Sequence, residues 1–135
     1  IDSLGKRVKY LDLACEKIGL KCKTIHARSE EAAKKPELRE KFGFVTARAV
    51  AALNVLCEYC LPYVKVGGVF AALKGAEDEC GVAEKAIEKL GGKIEKVIKY
   101  NLPCGDNRNL VIIRKIKETS ANYPRAGGVI AKRPL

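Results

Sequence analysis

The chain has 135 residues, 47% of them hydrophobic, which is enough for one domain with a core of its own. Charged residues make up 31%, and a formal net charge of +10 favours an anionic partner, nucleic acid or a membrane surface, over an acidic one. No apolar run approaches the roughly 20 residues needed to cross a bilayer, which excludes a membrane-spanning helix.

The chain opens on Ile1 and contains no Met, so a preceding segment is expected and the lack of a signal peptide carries no information. Ile1-Asp2 reads as the end of a strand. Ser3 is a candidate N-cap for a helix over residues 4–18, whose Val8, Leu11, Cys15 and Ile18 recur at helical spacing and predict a core face. Gly19 is the expected stop. Residues 22–27 predict a short strand, ended by Arg28-Ser29-Glu30. The charged segment 31–41, broken by Pro36, predicts short surface turns of helix.

Phe42-Gly43-Phe44-Val45-Thr46-Ala47 is the apolar run of a buried parallel strand, closed by Arg48. A helix over 52–64 follows, with Leu53, Leu56, Cys57, Cys60 and Val64 on one face. Gly67-Gly68 turns into a strand over 69–73, ended by Lys74. A helix over 78–90 presents Ala83, Ala86, Ile87 and Leu90. Strands over 93–102 and 109–116, joined through Pro103 to Asn107, predict an antiparallel pair. Residues 1–118 thus read as a partial domain of α/β class. They form a doubly wound sheet with an antiparallel C-terminal hairpin, lacking the first strand. Residues 119–135 read as a basic tail, expected to be extended or poorly ordered without a partner.

In open α/β sheets ligands sit at the carboxyl ends of the strands. Asp2, Arg28 to Glu30, Arg48, Lys74 and Arg108 all fall at such predicted ends, so one shared site is expected there. A carboxylate in the position of Asp2 can accept both hydroxyls of a ribose, although an acid at a helix start is also common. The arginines suit phosphate or carboxylate through their planar forks. Cys57-Glu58-Tyr59-Cys60 has C-x-x-C spacing, but both cysteines fall on an apolar helix face and the only histidine is His26, so core packing is expected and no metal site. Most of the 6 cysteines lie in apolar patterns, as expected of buried reduced thiols in a cytosolic protein. No G-x-G-x-x-G occurs.

Asp2-Ser3-Leu4-Gly5-Lys6-Arg7, Ala27-Arg28-Ser29-Glu30-Glu31, Val45-Thr46-Ala47-Arg48-Ala49-Val50, Ala72-Leu73-Lys74-Gly75 and Asn109 to Lys115 resemble the ribosomal RNA small subunit methyltransferase G family, also called glucose-inhibited division protein B. Tyr123-Pro124-Arg125-Ala126-Gly127 and Lys132-Arg133-Pro134-Leu135 are similar to its basic end. The resemblance runs through the whole chain in order, although the family's glycine-rich first motif has no counterpart. It implies a Rossmann-like class I methyltransferase fold using S-adenosylmethionine. The activity it implies is methylation of the 7-position nitrogen of a guanosine in bacterial 16S ribosomal RNA, in the cytoplasm. The implied partner is that RNA or a small-subunit assembly intermediate, met by a monomer with no membrane contact.

Carried over by resemblance, Asp2 would hold the ribose, Ser29 and Glu30 the adenine region, and Arg48 the cofactor carboxylate or an RNA phosphate, as the candidate catalytic residue. Charge at the strand ends makes Lys6, Arg28, Lys74 and Arg108 the candidate RNA contacts. The other reading of the same residues is a non-catalytic basic RNA-binding α/β domain.

Overall fold

The computed structural model describes residues 1–48 and 50–135. Four strands form one sheet: β1 (Phe42–Arg48), β2 (Val64–Lys74), β3 (Gly92–Asn101) and β4 (Asn107–Lys115), in the order β1-β2-β4-β3. β1 and β2 run parallel, with Phe44 opposite Val69 and Arg48 opposite Leu73. β4 enters antiparallel between β2 and β3, with Lys74 opposite Asn109. The predicted hairpin therefore pairs as expected, and its second strand also closes onto the parallel pair.

Burial alternates along the sheet's central strand β4 although its apolar run, Leu110 to Ile113, is continuous. On β4, Asn109, Val111, Ile113 and Lys115 are buried while Leu110, Ile112 and Arg114 between them are half-buried. The buried face meets Phe70 and Ala72 of β2, which pair with Ile113 and Val111. Two helices cover it: α3 (Leu53–Cys60) brings Leu53, Leu56 and Cys57, and α4 (Cys80–Lys89) brings Ala83 and Ile87. Each large side chain buried there contributes about 1.5–3 kcal/mol by leaving water. α3 is shorter than its predicted span because Pro62 follows it in a 3-10 turn, Leu61–Tyr63, which feeds directly into β2. β2 in turn begins earlier than predicted, at Val64.

Gly91 links α4 to β3 with φ of +84°, and a Cβ there would lie 2.2 Å from the Lys117 carbonyl oxygen. Its own carbonyl accepts from Ile116 and Lys117 N–H at 2.8 and 3.1 Å, tying the end of β4 to the start of β3.

Four expectations are corrected, the first being the buried parallel strand: β1 leaves Phe42 and Phe44 exposed. The strand predicted over 22–27 is reduced to one parallel bridge between Asp2 and His26, made by Asp2 N–H to Ile25 O and Ala27 N–H to Asp2 O. Among the described residues no further strand pairs with this segment, so its backbone cannot propagate a ladder. The helix at the start, α1 (Gly5–Lys17), forms, but of its predicted core face only Val8 is buried; Leu11 and Ile18 are exposed. Ser3 does not cap it. The Asp2 carboxylate instead accepts the Leu4 N–H at 2.8 Å.

The tail departs most from expectation. Instead of an extended segment, residues 119–135 fold back over the helices and end in α5 (Gly127–Lys132), with Ile130 fully buried. The Arg39 guanidinium donates to the carbonyls of Thr119, Ser120 and Tyr123. Lys115, buried to 0% exposure, donates to Leu61 O at 2.9 Å, lies 3.0 Å from Glu40 and hydrogen-bonds the Thr119 hydroxyl. Further along, Arg125 grips Glu58, a carboxylate buried in α3, through its backbone N–H and its guanidinium, with contacts of 2.6–3.2 Å. Of the tail's three cations, Arg125 thus finds its counterion on the domain.

Candidate functional site

The carboxyl ends of β1 and β2 lie side by side, and the antiparallel β4 starts beside them. This topology puts Arg48, Lys74 and Arg108 at one end of the sheet, the end where α/β proteins hold ligands. Arg48 is exposed on the last position of β1. Ala49, quoted beside it in the sequence motif, lies outside the described residues.

Lys74 is differently placed. Its ammonium, only 12% exposed as a side chain, donates to Ala51 O at 2.6 Å and pairs with Glu79 at 2.9 Å. Glu79 also accepts the Leu53 N–H at 2.5 Å. The three groups brace the end of β2 against the starts of α3 and α4. Arg108, half-buried, pairs with Asp106 at 2.9 Å within the hairpin turn.

A second group gathers around the Asp2–His26 bridge. Asp2 holds its carboxyl below the usual range, first because the Leu4 N–H bonds the anion and then because Arg7 stands 3.5 Å away. The carboxylate is thus ionised at neutral pH. His26 Nε2 lies 3.1 Å from Ser3 O, and its ring lies 3.3 Å from where a Gly5 side chain would begin, so α1 starts close against it. Lys6 projects, exposed, from the first turn of α1.

After the bridge the chain turns into α2 (Ser29–Ala32). Ser29 donates its hydroxyl to Tyr59 O at 2.9 Å, and its own carbonyl accepts from the Tyr63 hydroxyl at 2.7 Å, fixing this turn to α3. Glu30 is buried against the tail. A Cβ on Gly127 would lie 2.1 Å from its Oε1, so only glycine lets the tail pass there undisturbed. Arg28 stands exposed beside an open cleft of about 440 Å³ lined also by Glu30, Glu31, Tyr59 and Gly128. Burial, with the nearby Glu30 charge, pushes the Tyr59 hydroxyl up from its ordinary pKa.

The predicted residues therefore fall into two groups, Arg48 with Lys74 and Arg108, and Asp2 with Lys6 and Arg28 to Glu30. The bonds of Ser29 to the end of α3 join the second group to the sheet domain. Sequence reasoning missed Arg39, Glu40, Glu58 and Arg125, which seat the tail beside Glu30. The available signal was Glu58 itself, an acid inside the run Leu53 to Tyr63 where its neighbours are buried.

The comparisons agree on what this chain is similar to. Ribosomal RNA small subunit methyltransferase G of Acetivibrio thermocellus is 49% identical over the whole chain, that of Lactobacillus johnsonii 50%, and that of Clostridium novyi 52%. The chain covers only 57% or 58% of each, so it spans about half the length of the curated relatives it matches. Among solved structures, TehB from Haemophilus influenzae superposes with a TM-score of 0.54 over 85% of this chain and 48% of its own, at 11% identity. That likeness concerns the fold alone, a mixed α/β sheet of the Rossmann-like class I methyltransferase type. The family model described as GidB, rRNA small subunit methyltransferase G, matches residues 1–113, and the chain belongs to that family.

Proposed function

We propose that the protein carrying this chain transfers a methyl group from S-adenosylmethionine to the 7-position nitrogen of a guanosine in 16S ribosomal RNA, acting as a cytoplasmic monomer. The observation that carries this reading is the family match over residues 1–113. The gathering of Arg48 and Arg108 at the ligand end of the sheet supports it.

The residues present suit such a cofactor. Asp2 is an ionised carboxylate with one oxygen on Leu4 N–H and the other facing Arg7 at 3.5 Å, so it retains acceptor capacity for ribose hydroxyls. The turn at Ser29 and Glu30, pinned to α3, offers a fixed wall for the adenine. When bound, S-adenosylmethionine supplies a methyl group on a positively charged sulfur. The guanine 7-position carries a lone pair and no proton, so the protein's task is alignment at about 3–3.5 Å without a general base. Arg48 holds the cofactor carboxylate or an RNA phosphate, away from a ring that becomes cationic. Lys6, Arg28 and Arg108 take RNA phosphates, and Lys74 contributes by bracing β2 and α3 under Arg48.

The test is methyl transfer from labelled S-adenosylmethionine to small-subunit RNA by the protein that carries this chain. Label in guanine is expected, and none there rejects the reading. Arg48→Ala should abolish transfer with the circular dichroism spectrum unchanged. Undiminished turnover in that variant removes Arg48 from the site.

A further inference from the structure

Outside the proposed site, two thiols are held together by the fold. Cys15, in the last turns of α1, and Cys22, on the segment returning toward the Asp2–His26 bridge, have sulfurs 3.1 Å apart. The reversal between them is local and well tied. Gly19 takes φ of +68°, and the Leu20 N–H donates to Cys15 O at 2.8 Å. Asp12 accepts the Thr24 hydroxyl at 2.5 Å, so the two arms are bonded on both sides of the sulfur pair. A disulfide bond needs about 2.05 Å between sulfurs, roughly 1 Å less than the contact already present.

We propose that Cys15 and Cys22 form a reversible thiol-modification site that closes to an intramolecular disulfide by exchange with a small disulfide of the glutathione class. Cys22 is exposed and meets the reagent first. Its thiolate attacks one sulfur of the small disulfide, forms a mixed S–S bond and expels one small thiolate, which takes up a proton. Cys15 then loses its proton and attacks the Cys22 sulfur, breaking the mixed bond and releasing the second small thiol. Two protein thiols are oxidised and one disulfide is reduced to two thiols.

The other thiols are set up differently. The hydrogen bond to Cys22, with some burial, keeps the Cys15 thiol protonated, which suits it to resolve rather than to initiate. Cys57 and Cys60 lie in the core, where burial pushes Cys60 up to about 12 and Cys57 well above its ordinary value. Cys80 is pushed up to about 11, first by burial and then by its bond to Asp78. Cys104 is exposed in the hairpin turn, yet among the described residues no thiol bonds to it. In a cytoplasmic protein such a pair acts transiently and not as a standing crosslink. Its closure would staple α1 to the segment that holds Asp2 in place.

The experiment equilibrates the whole chain with reduced and oxidised glutathione at a series of ratios, quenches with N-ethylmaleimide and maps peptides by mass spectrometry. The expected main product is a peptide pair linked through Cys15 and Cys22, with both alkylation sites lost together and restored by dithiothreitol. Cys15→Ser should trap glutathione on Cys22. In urea the linked yield at the same ratio should fall at least about tenfold, because the fold no longer holds the sulfurs near each other. A glutathione adduct persisting on Cys22 of the unchanged chain as the main product overturns the proposal. So does linkage that is equally abundant in urea.

Discussion

α1 and α4 are similar helices in sequence and opposite in fate. Both space apolar residues at three and four, and both end in lysine. α4 buries Ala83, Ala86 and Ile87 between α3 and the sheet, whereas α1 buries Val8 alone and leaves Tyr10, Leu11 and Leu13 exposed. Periodicity states which face of a helix is fit for burial. It does not state that the surface able to cover that face lies within the same stretch of chain.

The contrast predicts a stability gradient. Phe70→Ala, at the centre of the sheet core, should lower the free energy of unfolding by about 3–5 kcal/mol in urea titrations. A loss below about 1 kcal/mol would place the core elsewhere. Arg125→Ala should cost about 3 kcal/mol, since it leaves Glu58 buried without its counterion. Arg125→Ala with Glu58→Leu should recover most of that loss, and failure to recover would mean that the loss does not come from an unpaired Glu58. Gly127→Ala should cost no more than about 1 kcal/mol, because the Glu30 carboxylate it meets is the end of a flexible side chain that can move aside, read as a shift in urea midpoint. Leu13→Ala, on the exposed side of α1, should fall within about 0.5 kcal/mol of the parent.

The smallest effect should be seen as a dependence on pH. Asp2 has its folded pKa depressed below the ordinary 3.8, so its anchoring of α1 is present above that value and is lost as pH falls through the depressed one. Hydrogen exchange at Leu4 should quicken relative to Phe70 in that acid window, and Asp2→Asn should remove the dependence. Equal acid sensitivity in the variant would assign the anchoring to another group.

The sheet is legible because the apolar runs at 69–73 and 110–113 report burial directly, and because Pro103 to Asn107 carry turn chemistry. The strand at 22–27 is not, because a strand is a pairing, and pairing partners are not written in a segment's own composition. The tail was misread for a related reason. Its prolines, glycines and unbalanced cations predict a poorly ordered segment, while Glu58, Glu40 and Arg39, which bind it, lie 60 residues or more away in sequence. Of the candidate site, the ligand end of the sheet followed from strand order alone. That Lys74 is a brace and that Glu30 backs onto Gly127 depended on side-chain neighbours no spacing could supply.

The grip of Arg125 on Glu58 also sets an order of events during synthesis. Helix α3 and its acid leave the ribosome 67 residues ahead of the cation that neutralises it. Until that cation emerges, closing the helix over the sheet would strand a bare carboxylate in oil. Before Arg125 emerges, that carboxylate must keep its water or take up a proton, so α3 can settle over the sheet at full stability only afterwards.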